Sequence, residues 1–104
     1  WQTGLRAAAA RRLDDLASCA AMGAEPCHLP VPDCIYRRGP DGEALYASES
    51  AIFGELHTSE TGLLALLASQ LRLELPEGAN LVCPLGLGGH VDHRLARRAA
   101  DTLD

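Results

Sequence analysis

The stretch ANLVCPLGLGGHVDHRLARRAADTL, residues 79–103, decides the predicted fold of this 104-residue chain. Its first six residues (79–84) are mostly apolar and bounded by turn residues, which is typical of a buried parallel strand. A glycine-rich turn follows, and Leu95 and Ala99 then recur at the spacing of an amphipathic helix. This order of elements predicts part of an open, mostly parallel α/β sheet, in which ligands bind beyond the carboxyl ends of the strands.

The motif His90-Val91-Asp92-His93 stands directly after the glycine turn. His90 and His93 are about one helical turn apart, so both rings can lean toward one point. Asp92 can cap the following helix. It can also accept the N–H of an imidazole, which fixes the tautomer and raises the basicity of the ring. The motif therefore indicates either metal ligation or acid–base chemistry near neutral pH.

The alternative is purely structural, with one histidine capping the helix and the other exposed. Two histidines and an aspartate behind a glycine turn favour chemistry, although a catalytic zinc site needs about three protein ligands. The remaining histidines, His28 and His57, have no spacing that suggests ligation, and we expect both at the surface. Asp14 and Asp33 are further carboxylates that a metal site could recruit.

Two more helices are predicted upstream. Residues 5–22 contain an alanine run with the highest helix propensity, and Gly23 stands where a left-handed cap belongs. Residues 59–75 place four leucines on one face. Between these helices, the proline-rich residues 25–33 contain at best a short strand.

The turn GPDGE at 39–43 follows from the backbone preferences of proline and glycine. The residues on either side of it, 35–36 and 44–46, suit either short strands or ordered loop.

The charge balance and the cysteine spacing limit the classes of partner and the cellular compartment that we expect for this chain. Acidic residues outnumber basic ones by 14 to 9, and every basic residue is an arginine, which argues against nucleic acid as a partner and excludes a catalytic lysine. No apolar run is long enough to span a membrane. Cys19 and Cys83 lie in apolar runs and are predicted to be small buried residues. No cysteine pair has metal-ribbon or redox spacing, so we expect a reducing, cytoplasmic setting.

Together these features resemble the N-acetylglucosaminyl-phosphatidylinositol de-N-acetylase family, also called the PIG-L or LmbE-like zinc deacetylases. The most specific likeness is GLGGHVDH at 86–93 with its His-x-Asp-His signature, although Val91 stands where the family usually has proline. The supporting features are Arg11 with Asp14 ahead of the helix-ending glycine, where the family has glutamate at the second position, and Pro32-Asp33 after the short strand.

This resemblance implies a Rossmann-like α/β fold and zinc-dependent hydrolysis of an acetamide on an amino sugar or sugar conjugate. It implies that His93 ligates Zn²⁺. It also implies that His90 stabilises the tetrahedral intermediate and assists the leaving amine, with Asp92 holding its ring. Arg11 would lie near the substrate.

The family's other zinc ligands and its general base lie in an H-P-D-D-E motif, which does not occur in this sequence. We therefore expect residues 1–104 to be a single partial domain of a longer deacetylase and to be inactive alone. A partial domain exposes apolar faces, which association into a homo-oligomer would cover.

Two other functions stay open. One is a non-catalytic or truncated relative that binds a ligand or a protein partner. The other is an unrelated metal hydrolase such as a two-metal phosphoesterase, which the scarcity of acids around 84–93 disfavours.

Overall fold

The computed structural model describes residues 2–103, with side chains from residue 6 onward. Trp1 and Asp104, the end residues of the predicted domain, lie outside the described residues. The chain divides into two compact units, Trp1–Pro32 and Asp33–Asp104.

The first unit is built on α1, Gln2–Met22, which confirms the helix predicted over 5–22. The helix ends where Gly23 adopts a positive φ of 72°, as expected for a left-handed cap. Its apolar residues Leu13, Leu16 and Met22 are exposed, so they do not form a buried core. None of the helices in the described part of the chain combines the length and apolar character needed to cross a membrane.

Over residues 33–103, the second unit contains three α-helices and two 3₁₀ helices. In chain order these are a first 3₁₀ helix (Cys34–Tyr36), α2 (Glu49–Ile52), a second 3₁₀ helix (Thr58–Glu60), α3 (Thr61–Glu74) and α4 (Val91–Asp101). The predicted helices at 59–75 and after the glycine turn correspond to α3 and α4. Both therefore form close to where their apolar spacing places them.

Helix α4 packs against α3 and against the loops that precede it. Its buried residues Val91, Leu95 and Ala99 recur at helical spacing, and Ala68 is buried on α3. Small side chains at such positions let two helices approach closely. Val91 also joins Cys34 and two residues of the 37–48 loop in the core cluster. The first turn of α4 is thus the part of the helix that contacts the loops.

The predicted Rossmann-like parallel sheet is wrong. Among residues 2–103 there is no strand, and the sole strand-like pairing is an isolated antiparallel bridge between Arg38 and Ala44. Residues 79–84, the predicted strand, have no regular structure, and neither do residues 25–33, for which the sequence predicts at best a short strand. A strand requires a partner for its backbone N–H and C=O groups, and an apolar run alone does not provide one.

The segment predicted as a buried strand is instead largely exposed. Val82 is 93% exposed and Leu81 is 41% exposed. Cys83 in the same segment and Cys19 on α1 are only half-buried, so their predicted burial as core residues is not met. The site therefore lies at a loop-to-helix junction and not at the end of a sheet.

Truncating the α4 core should destabilise the second unit. We expect Leu95→Ala to lower the free energy of unfolding by about 2–5 kcal/mol, because it removes a buried side chain and leaves a cavity. Leu73→Ala is the matched control, since Leu73 is 77% exposed on α3. Urea denaturation of the full chain measures both variants, and equal losses would contradict the packing described.

Candidate functional site

The His-x-Asp-His motif forms the start of α4. His90 is the N-cap residue, and its ring Nδ1 accepts a hydrogen bond from the backbone N–H of Asp92 at 3.1 Å. His90 therefore satisfies an otherwise unpaired donor of the first turn. The predicted Asp92 cap is wrong, and the structural alternative, with one histidine as the cap and the other exposed, is what the structure shows. The Asp92 carboxylate is left to make contacts elsewhere, and its negative charge near the helix N-terminus is favourable.

The Asp92 carboxylate connects α4 to the first 3₁₀ helix. Its Oδ2 accepts a hydrogen bond from the backbone N–H of Cys34 at 2.9 Å, across 58 positions of sequence. Its Oδ1 lies 2.7 Å from Nη1 of Arg37. One side chain thus holds both the residue that begins the 3₁₀ helix and the arginine that follows it.

Arg37 is a buried cation, with 6% of the residue exposed. Besides Asp92, it contacts Glu60, because its Nε donates a hydrogen bond to Glu60 Oε2 at 2.8 Å. The guanidinium also lies over the ring of Tyr46, 5.2 Å from the centroid. Two carboxylates therefore compensate one buried positive charge, as burial of a charge requires.

Tyr46 completes this network. Its hydroxyl donates to Glu60 Oε1 at 2.6 Å and accepts the backbone N–H of His57 at 2.8 Å. Glu60 thereby uses one carboxylate oxygen for Arg37 and the other for Tyr46. We refer to Arg37, Tyr46, Glu60 and Asp92 as the buried polar network.

Burial and charge shift three pKa values in this region. Burial raises the pKa of the Cys34 thiol to about 12, with the negative charges of Asp92 and Asp33 adding to the effect. Burial also raises the pKa of Tyr46, as does its hydrogen bond to Glu60. For Arg37, burial lowers the pKa, but the two carboxylates outweigh burial and the net shift is upward. All three groups are therefore held in their protonated forms at neutral pH.

Cys34, His90 and Asp92 form a group that could hold a metal ion. Each offers one donor atom, and these atoms lie within 4.8 Å of one another. Donors around a tetrahedral zinc ion are about 3.4 Å apart, given bond lengths of 2.0–2.3 Å, so the longest separation in the group would have to shorten by up to about 1.4 Å. Asp92 Oδ1 is buried and lies 2.7 Å from Nη1 of Arg37, so an ion bound there would share this oxygen with the guanidinium. By the type of its donor atoms, the group suits a divalent ion such as zinc.

Two existing interactions oppose binding. The Cys34 thiol must lose its proton, although its pKa is raised. His90 uses Nδ1 as the cap acceptor, so the neutral ring carries its proton on Nε2. Ligation through either nitrogen therefore weakens the cap, which is worth about 0.5–2 kcal/mol.

Only some of the site residues predicted from the sequence lie close to one another in the structure. His90 and Asp92 lie in the donor group, whereas His93 is exposed and outside it. The His93 ring is nevertheless close to that of His90, with 5.1 Å between centroids. Arg11 is exposed on α1 in the first unit, and its role near a substrate stays a prediction.

The other acids and histidines considered from sequence have local roles. Asp33 caps the first 3₁₀ helix through a hydrogen bond from Ile35, and His57 caps the second one. His28 is paired with Asp15 at 2.6 Å in the first unit. None of these residues belongs to the donor group found among the described residues.

Sequence reasoning missed Cys34 as a ligand and Arg37 as the buried cation. Cys34 directly follows the Pro32-Asp33 pair that the family resemblance singled out, which is the one local signal for it. Arg37 stands beside Arg38, and no spacing distinguishes them. In the folded chain Arg37 is buried and Arg38 is exposed, and this difference arises only from tertiary structure.

No protein-family model, curated protein or solved structure matches the chain. The likeness to LmbE-like deacetylases therefore rests on the motifs quoted above. The observed helical fold adds no support to it, because that family is expected to have an α/β sheet. Function has to be argued from the donor group and its surroundings.

Replacing Arg37 should unfold the network. We expect Arg37→Met to lower the free energy of unfolding by about 3–5 kcal/mol, because Glu60 and Asp92 would be left without their cation. Arg38→Met makes the same chemical change at the exposed neighbouring residue and should be nearly neutral. Urea unfolding of both variants gives the comparison, and a neutral Arg37→Met would show that the pairing does not stabilise the fold.

The Cys34 thiol should be unreactive in the folded chain. With a pKa of about 12, its thiolate fraction at pH 8 is about 10⁻⁴. We expect iodoacetamide to alkylate the half-buried Cys83 well before Cys34, and both at similar rates in concentrated urea. Mass spectrometry of peptides over time follows the two sites. Equal rates in the folded chain would mean that Cys34 is accessible.

Proposed function

We propose that Cys34, His90 and Asp92 bind a zinc ion and that the chain is part of a zinc-dependent amide hydrolase. The substrate would be an N-acetylated amino sugar or sugar conjugate, from which the enzyme removes the acetyl group. The convergence of three donor atoms within 4.8 Å carries the metal part of the proposal. The His-x-Asp-His motif carries the hydrolase part through its resemblance to LmbE-like deacetylases.

The donor types support zinc over other ions. Thiolate and imidazole suit zinc, whereas Mg²⁺ and Ca²⁺ prefer oxygen donors throughout. Catalytic zinc sites have about three protein ligands and an open position, and the group supplies three. When bound, zinc provides Lewis acidity for the attack of water on a carbonyl.

The two histidines of the motif would have different chemical roles. In this proposal His90 is a ligand, and the exposed His93 beside it holds the proton that the departing amine needs. The family resemblance assigns these roles in reverse, with His93 as the ligand. The two assignments predict opposite effects of His90→Asn and His93→Ala on the affinity for metal.

Metal binding is the part of this function that the chain itself can be tested for. The sequence has no H-P-D-D-E motif, which the resemblance requires for activating water. Hydrolysis therefore has to be assayed on the gene product that contains this chain, as release of acetate from N-acetylglucosamine conjugates.

A non-catalytic relative is the second candidate. The observation that favours it is the engagement of Asp92, whose Oδ2 accepts the Cys34 N–H and whose Oδ1 pairs with Arg37. These contacts stabilise the fold without any metal. In that case the contacts of Asp92 have a structural role only, and replacing Asp92 would change the stability of the fold and nothing else.

Cobalt titration tests the metal site directly. We expect the full chain to bind Co²⁺ and to show a thiolate-to-cobalt charge-transfer band that Cys34→Ser abolishes. Cys83→Ser makes the same change outside the cluster and should retain the band. His90→Asn should weaken binding at least about 10-fold, the effect known even for residues that only support a ligand. Asparagine preserves an N-cap acceptor, so stability should be nearly unchanged.

His93→Ala decides between the two assignments. If His90 is the ligand, this variant keeps the cobalt band and its affinity. If affinity falls in His93→Ala and not in His90→Asn, the resemblance-based assignment holds and the ligand set proposed here is wrong. Absence of the band in the parent chain would also overturn that ligand set.

A further inference from the structure

A concave region lies between the glycine turn and the arginines of α4. It is a cleft of about 290 Å³, close to the lower limit for small-ligand sites. Its walls combine arginines of α4 with an apolar residue, a glycine and one acid. The lining residues are Glu55, Leu85, Gly86, Arg94, Arg97 and Arg98.

The cleft concentrates positive charge in an acidic chain. Three of the nine arginines line it, although the net charge of the chain is −5. Successive arginines at these positions project from one side of a helix, because residues three and four apart are neighbours on its surface. A single acid, Glu55, lines the cleft with them, so the lining carries net positive charge.

The three guanidinium groups are engaged to different degrees. Arg94 is held by the Gly89 carbonyl at 3.0 Å and by Glu55 at 2.6 Å. Arg97 pairs with Asp101 one turn further along α4. Arg98 is exposed, and in the described part of the chain no hydrogen bond or ion pair engages its side chain.

The donors present suit a phosphate group. Guanidinium groups bind phosphate oxygens through paired N–H donors, and their planar fork does this better than an ammonium group. Arg98 offers all of its donors, and Arg94 is already oriented by Gly89. Leu85 is 64% exposed at the edge of the cleft and offers an apolar contact for the carbon skeleton of a ligand.

We propose that the cleft formed by Arg94, Arg97 and Arg98 binds the phosphate group of a small molecule. Glu55 occupies Arg94 in the absence of ligand and competes with the phosphate for it. None of the lining residues belongs to the Cys34–His90–Asp92 group. The site therefore does not depend on the proposed metal site, and the two can fail separately.

The test is a titration of the metal-free, ¹⁵N-labelled full chain with inorganic phosphate at constant ionic strength, followed by NMR. We expect saturable shifts in α4 and about 10-fold weaker binding in Arg98→Gln, the size of effect for one charge-assisted hydrogen bond. Arg38→Gln removes an exposed arginine outside the cleft and should leave binding unchanged.

The Glu55→Gln variant distinguishes phosphate binding from a purely structural role of the arginines. Removing the competing carboxylate should strengthen phosphate binding several-fold, because Arg94 becomes available to the ligand. Glu55 is itself exposed, so this substitution leaves the core intact. Thermal unfolding of each variant checks that the helix is preserved.

Three results would overturn the proposal. The first is the absence of saturation by phosphate, and the second is equal affinity in the parent, Arg98→Gln and Glu55→Gln. The third is binding to phosphatidic acid vesicles without any response to soluble phosphate or ethyl phosphate, which would assign the arginines to a lipid surface. Tighter binding of acetate than of phosphate would likewise contradict the ligand class.

Discussion

The second unit depends on one buried cation. Arg37 lies between the carboxylates of Glu60 and Asp92, and a guanidinium in this position has to be compensated or the fold is lost. Glu60 immediately precedes α3, and Asp92 lies in the first turn of α4. The compensation therefore brings the beginnings of the two longest helices of this unit to the same arginine. The Tyr46 hydroxyl donates a hydrogen bond to Glu60, so the loop that carries Tyr46 is joined to the same network.

The same network creates the donor group and restrains it. Asp92 is held at the position where it meets Cys34 and His90 because Arg37 and the Cys34 backbone bind its carboxylate. A metal ion at this point would have to share that carboxylate with a guanidinium, and like charges repel. The network therefore fixes the positions of the three candidate donors, and the neighbouring cation and the protonated thiol would both weaken the binding of a metal ion. The fold-stabilising network and the candidate metal-binding group therefore share the Asp92 side chain.

The motif was the predictable part of the candidate site. His90 and Asp92 are two positions apart on one turn, so their proximity follows from local geometry. Cys34 is 58 positions away from Asp92, and no local pattern connects them. The identity of the cap was also decided by the folded chain. With His90 as the cap, the Asp92 carboxylate turns to the interior, whereas the sequence is compatible with either Asp92 or a histidine as the cap.

The sequence by itself determined the three longest helices, because propensity, apolar spacing and glycine caps act within a few residues. Met22 ends α1 where Gly23 can take a positive φ, as local chemistry requires. Tertiary structure alone decided that 79–84 has no strand partner, and hence that no sheet forms among the described residues. It also decided that Arg37 and not Arg38 is buried. Strand pairing and charge burial both depend on groups distant in sequence, so a local pattern cannot determine either.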